Sequence, residues 1–138
     1  MGFIREHEPQ VYALMRIVIG FLFLWHGMQK VVGFPPMPPM PQEPPAFIIW
    51  TAGPIELVGG LLVMIGLFTR PAAFLCSGLM AFAYWMAHGL SKLDQGAVGL
   101  LPSVNNGEPA VLYCFVFLFL AAHGGGPHSL GRALKRRR

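Results

Sequence analysis

Few residues in this chain can do chemistry, and the most informative of them is Glu56. It stands in the middle of an apolar run, Phe47 to Phe68, that holds no other side chain able to carry a charge. An ionised acid at the centre of a membrane-spanning helix carries an insertion penalty of about 2.5 to 3.5 kcal/mol, so it persists only with a partner, a wet cavity or a proton. Two roles follow. The carboxylate takes part in binding or proton transfer, or it forms a buried ion pair that only fixes helix register.

Counting depth at 1.5 Å per residue from the outer end of each span places His26 about 10 Å deep in a first helix and Glu56 about 13 Å deep in a second. On the same count His88 lies about 3 Å deep on a third helix, Glu108 opens a fourth at that surface, and Lys30 lies between His26 and the boundary. Five ionisable groups from four helices thus share one half of the membrane. Glu56, His26 and His88 are the catalytic candidates: the acid accepts or relays a proton and an imidazole hydrogen-bonds a carbonyl or an anion. Arg16, Lys30, Trp85, Asn106 and Glu108 are the candidates for holding a small polar headgroup between apolar walls. The partner of Glu56 is open between Lys30, His26 and Arg16. Arg16 differs from Glu56 by about 10 Å in depth and is long enough to snorkel toward the headgroups instead.

Other signals carry less. His123 and His128, and the thioethers Met37 and Met40, are too few to make a metal site, and none is expected. Gly124, Gly125 and Gly126 lack the lysine and the strand that a phosphate loop needs. Cys76 and Cys114 have neither paired spacing nor flanking ligands and are read as buried thiols. The chain has no haem, flavin or iron–sulfur motif, so its cofactor is open.

Composition supplies the elements that hold these groups. The 138 residues are 54% hydrophobic and 12% charged, with a mean hydropathy of +0.55, against about 25% charged residues in soluble domains. Four stretches, Val11 to Gly33, Phe47 to Phe68, Pro71 to Leu90 and Pro109 to Gly124, are predicted to cross a bilayer, giving an all-α, polytopic membrane protein with an antiparallel four-helix transmembrane bundle in a single domain of residues 1–138. No small-x-small cleavage site follows the first stretch, so it is expected to be retained. Arg5, Arg70 and the tail Arg132, Lys135, Arg136, Arg137 and Arg138 fall on one side of a four-span arrangement, which predicts cytoplasmic termini. Beside a span, the basic tail reads as a topology signal and a contact for anionic lipid, with no nucleic-acid partner expected.

Small residues predict the packing faces. On the first helix Arg16, Gly20, Phe23, Gly27 and Lys30 form a stripe; on the second, Ala52, Gly53, Gly59 and Gly60 surround Glu56; on the third, Gly78, Ala81, Trp85 and His88 share a face. A proline-rich connector, Phe34 to Ala46, is expected to be a stiff outer strap. Thr69 and Arg70 are expected to close a tight hairpin before Pro71. Ser91 to Glu108 forms a long polar outer loop of the kind that is functional or mobile.

Taken in order, Arg16 to Gly20, His26, Gly27, Lys30, Glu56, Gly59, Gly60, the run Gly66 to Ala73, His88, the triplet Asn106, Gly107 and Glu108, and Ser129 with Leu130 resemble the DoxX family of small four-helix membrane proteins over nearly the whole chain. The resemblance implies a bacterial inner-membrane protein with redox associations, since the family is named from a subunit of a thiosulfate:quinone oxidoreductase and other members are linked with membrane oxidoreductase assemblies. The leading expectation is a quinone-associated or redox-complex membrane subunit with a polar pocket in the outer half of the bundle, acting with membrane lipid and a protein partner or further copies of itself. The alternatives are a non-catalytic assembly or anchoring subunit, and a small oligomeric solute transporter.

Overall fold

The structure, a computed structural model, describes residues 2–37 and 45–137. A short helix, α1 (Gly2–Glu6), leads into α2 (Glu8–Val31), followed by α3 (Ala46–Ile65), α4 (Thr69–Ala83), α5 (Glu108–His123) and a C-terminal α6 (Leu130–Arg136). All regular structure among the described residues is helical. Most of the proline strap, including Met40, lies outside the described residues.

Three helical stretches are long and apolar enough to cross a membrane: Glu8–Val31, Ala46–Ile65 and Thr69–Leu100. The fourth predicted span, α5, is equally apolar but has only 16 residues. The molecule is apolar on its outside as well as at its centre. Trp50, Phe74, Leu112 and Phe115 are more than 60% exposed on its periphery, as lipid-facing side chains should be. Its centre is a cluster around Phe23, Val63, Cys76, Phe117 and Leu120.

Glycine sets the closest contact in the bundle. A Cβ on Gly20 would lie 2.6 Å from Met64 N, and one on Gly60 would lie 2.6 Å from Leu24 N. Gly27 meets the backbone of Leu57 and Gly53 in the same way. Helices α2 and α3 therefore touch backbone to backbone, as small-residue stripes in membranes permit. The buried residues of α2 include Arg16, Gly20, Phe23 and Gly27, and those of α3 are Ala52, Gly53, Glu56, Gly59, Gly60 and Val63, which are the faces expected from sequence.

The third face departs from expectation. Helix α4 packs through Thr69, Ala72, Ala73, Cys76, Ser77 and Met80, while Gly78 faces open space and Trp85 is 52% exposed. The reason lies in what each face offers. Cys76 fits against Gly59, where a Cβ would collide with its Sγ, and Ser77 Oγ donates to the Cys114 carbonyl at 2.8 Å. Small polarisable or hydrogen-bonding side chains thus hold α4 to its neighbours, and the glycine faces lipid. A π-helical turn, Tyr84–Gly89, then continues α4 into 3-10 turns, Leu90–Leu100, broken at Lys92 and at Gly96.

The α3–α4 hairpin is tight, as expected, but it turns at Gly66 to Phe68 rather than at Thr69 and Arg70. Gly66 adopts φ 75°, a left-handed conformation that closes α3 with its own N–H and that of Leu67 donating to Leu62 O at 3.0 Å each. Helix α4 starts at once with Thr69, and Pro71 sits in its first turn, where a missing N–H leaves no bond unmade.

Candidate functional site

Glu56 is paired with Lys30. The ammonium donates to both carboxylate oxygens, Nζ lying 2.5 Å from Oε1 and 2.6 Å from Oε2. Helix α2 contributes the lysine from its last turn and α3 the acid from its middle. Gly53, one turn from Glu56, makes the reach possible: a Cβ there would stand 2.8 Å from Val31 Cγ2 and 3.1 Å from Lys30 Cβ. The side chain of Glu56 is 3% exposed and that of Lys30 is 21% exposed. The pair therefore has a sealed anionic end and a cationic end that reaches the periphery. A charge-assisted contact of this kind is about twice as strong as one between neutral groups.

Arg16 does not pair with Glu56 and does not snorkel. It is 1% exposed, and its guanidinium donates through Nη1 to Val63 O and Met64 O, each at 2.6 Å, and through Nη2 to His128 O at 2.8 Å. The first two acceptors are carbonyls of the last turn of α3, the negative end of that helix, where a cation is stabilised. Arg16 is thus the C-terminal cap of α3, reaching across from α2, and a tie to the segment before α6. Gly66 is confined by it as well as by its own φ: a Cβ would lie 2.9 Å from Arg16 Nη1 and 2.6 Å from Ser129 Cβ. Tyr12 adds a parallel tie by donating its hydroxyl proton to the Gly124 carbonyl. The first turns of α2, the end of α3, the start of α4 and the end of α5 therefore meet at one end of the bundle, here called the terminal end.

At the opposite end the polar groups separate into two sets. His88 Nδ1 lies 2.9 Å from the Asn105 carbonyl oxygen. Asn105, 3% exposed, donates from Nδ2 to Gly99 O at 3.1 Å and accepts from Gly107 N at 2.9 Å, and Tyr84 Oη donates to Leu100 O at 2.5 Å. This network pins the long connector onto the π turn, so its polar residues hold the loop in place. Asn105 was missed by sequence reasoning, which took its neighbour. Asn106 is exposed at φ 60°. The signal that could have found Asn105 is its placement two residues before Gly107, where an asparagine oxygen can accept the i+2 amide. Glu108 is exposed in the first turn of α5. His26 is exposed on α2 with its ring edge-on to Tyr113 at 6.2 Å. Of the eight candidates, the structure joins Lys30 with Glu56; Arg16 serves the other end, and His88 serves the loop.

No group of three or more metal-binding side chains occurs among the described residues, and both cysteines are free.

Residues 11–89, more than half of the chain, match the DoxX family. An uncharacterized protein of Haemophilus influenzae is 36% identical over 131 residues, covering 94% of this chain and 95% of its own length. No solved structure matches the chain. The match contains Arg16, Lys30 and Glu56 together with the glycine stripes that bring α2 and α3 into contact, and on these grounds the chain belongs to the DoxX family.

Proposed function

We propose that this DoxX protein is a membrane subunit of a redox assembly, with the Lys30–Glu56 pair as its proton-handling and headgroup-binding element. The observation that carries this reading is the asymmetry of the pair: a carboxylate sealed between α2 and α3 and a lysine that reaches the periphery. An acceptor such as a quinone carbonyl approaching from the bilayer meets the ammonium first, and the carboxylate behind it takes or returns the proton. The exposed His26, four residues before Lys30 on the same helix, is placed to hydrogen-bond such a headgroup. His88, bonded to the Asn105 carbonyl, holds the outer loop in this reading, and Trp85, Asn106 and Glu108 take no part in the pair. Electrons come from a partner subunit or from the substrate.

The assembly reads as an inner-membrane one, with both termini cytoplasmic and α5 as a fourth crossing. Arg5, Arg70, Arg132 and Lys135 all lie at the terminal end, which supports that orientation by the positive-inside rule. A second reading, a non-catalytic anchoring subunit, is favoured by the completeness of the ion pair, since both carboxylate oxygens are satisfied. Glu56→Gln separates the two. The redox reading expects the variant to reach the membrane in ordinary amount while quinone-dependent redox activity of the isolated membranes falls about a hundredfold or more, the usual scale for a general acid–base group. Unchanged activity at full abundance overturns it in favour of anchoring.

A further inference from the structure

The terminal end carries a second constellation that the ion pair does not use. A cleft of about 800 Å³ opens between the α3–α4 turn, the α5–α6 segment and α6, a volume in the usual range for small-ligand sites of about 300 to 1,000 Å³. Arg70, Arg132, Lys135 and Arg137 line it, and among the described residues no aspartate or glutamate does. Leu67, Phe68 and Leu134 line it too, Phe68 being 69% exposed. The cleft thus has a cationic rim and an apolar flank.

Two independent features point to an anionic occupant. Helix α4 begins in the cleft with no side-chain cap; Pro71 has no N–H and Ala72 N donates to Phe68 O, so the Thr69 and Arg70 amides and the positive end of the helix dipole are what that end offers an anion. Thr69, the first residue of α4, is 4% exposed, and its hydroxyl has no hydrogen-bond partner. Thr69 and Gly125 both line the cleft, and a Cβ on Gly125 would crowd Thr69 Oγ1 and Ser129 Oγ at 3.0 Å each. The absent side chain at Gly125 therefore keeps the inner corner beside this unused donor from being covered further. A buried hydroxyl without a partner is rare, because nothing offsets the water it gave up.

We propose that this cleft binds the phosphodiester headgroup of an acidic phospholipid, the phosphate between Arg70, Arg132 and the first turn of α4, with Thr69 as the inner donor and an acyl chain along Phe68. The apolar flank selects a lipid over a free anion, because inorganic phosphate has nothing to place against Phe68 and Leu134. It also joins α4 to α6, so an occupied cleft braces the C-terminal helix against the bundle.

Native mass spectrometry of the full chain in detergent tests this with phosphatidylglycerol, phosphatidylcholine and inorganic phosphate as probes. The expected result is retained phosphatidylglycerol, weaker phosphatidylcholine and no effect of millimolar phosphate on lipid retention. The double variant Arg70→Gln with Arg132→Gln should bind phosphatidylglycerol about thirtyfold more weakly, since each basic residue near a membrane contributes about 1 kcal/mol to anionic lipid binding. Thr69→Val should weaken binding while Thr69→Ser, which keeps the hydroxyl and checks that the fold tolerates change there, should not. Arg136→Gln, on α6 but outside the cleft, should change retention less than twofold. Equal loss in Arg136→Gln, or equal retention of the two lipids, would mean diffuse attraction and overturns the site. Displacement of lipid by phosphate overturns the lipid assignment in favour of a free-anion site.

Discussion

At the scale of single residues, the ion pair makes an asymmetric prediction. Removing the lysine strands a carboxylate that is 3% exposed, whereas removing the carboxylate frees a lysine that is already 21% exposed and long enough to reach polar surroundings. Lys30→Met should therefore destabilise the protein by about 3 kcal/mol, the scale of a broken buried pair, and Glu56→Gln by clearly less. The double variant Lys30→Met with Glu56→Gln should recover most of the loss, because no uncompensated charge then remains. Unfolding of the three variants in mixed micelles measures all of this. Equal costs for the two single changes would mean that the lysine is no better solvated than the acid. Depth counting from sequence brought Lys30 and Glu56 to the same half of the bundle but left the partner open, because depth does not tell on which azimuth two side chains meet. Gly53 settles it, since its missing side chain is the space that the Lys30 stem occupies.

Among the elements, two kinds of glycine behave oppositely. Gly60→Ala places a methyl against the Leu24 backbone, which cannot move aside as a side chain would, and should destabilise by about 2 kcal/mol or more through separation of α2 from α3. Gly78→Ala meets nothing within 4 Å and should be neutral or stabilising by up to about 1 kcal/mol through helix propensity. Thermal unfolding in detergent checks both, and a large loss at Gly78 would mean that α4 packs through the face read from sequence after all. The stripes on α2 and α3 were legible because close helix approach leaves only small residues along a line. The stripe on α4 misled because a glycine facing lipid looks the same in sequence as a glycine facing a helix. Arg16 was illegible for another reason: its acceptors are backbone carbonyls, which every residue has. Its three acceptors make a further case. Arg16→Lys keeps the charge but cannot span Val63, Met64 and His128 together, so it should lose about 2 kcal/mol, as a fork-shaped donor is not replaced by a point charge. A Lys variant as stable as the parent in the same unfolding assay would show that charge alone suffices.

For the whole molecule, the decisive quantity is the number of crossings. Helix α5 has 16 residues, or about 24 Å of rise against a hydrocarbon core of about 30 Å, which on length alone leaves it short. Its surroundings argue the other way. It begins beside Tyr84, where a Cβ on Gly107 would lie 2.6 Å from that ring, and ends where Tyr12 holds Gly124, so it runs the height of the bundle from one polar end to the other. Leu112 and Phe115 on its flank are 66% and 65% exposed, which outside a bilayer would leave a large apolar face in water. A mismatch of a few ångströms is absorbed by local thinning of the bilayer at a fraction of a kcal/mol per ångström. In the proposed arrangement four crossings put both termini on one side, and the positive-inside rule then assigns that side, where the basic residues gather, to the cytoplasm. Fluorescent-protein fusions at the N- and C-termini should thus both be bright in cells, and an alkaline phosphatase fusion at the C-terminus should be inactive, whereas one at Asn106 should be active. An active phosphatase at the C-terminus would reduce the crossings to three, leave α5 on the membrane surface, and move Arg132 and Lys135 to the side where the positive-inside rule does not put them.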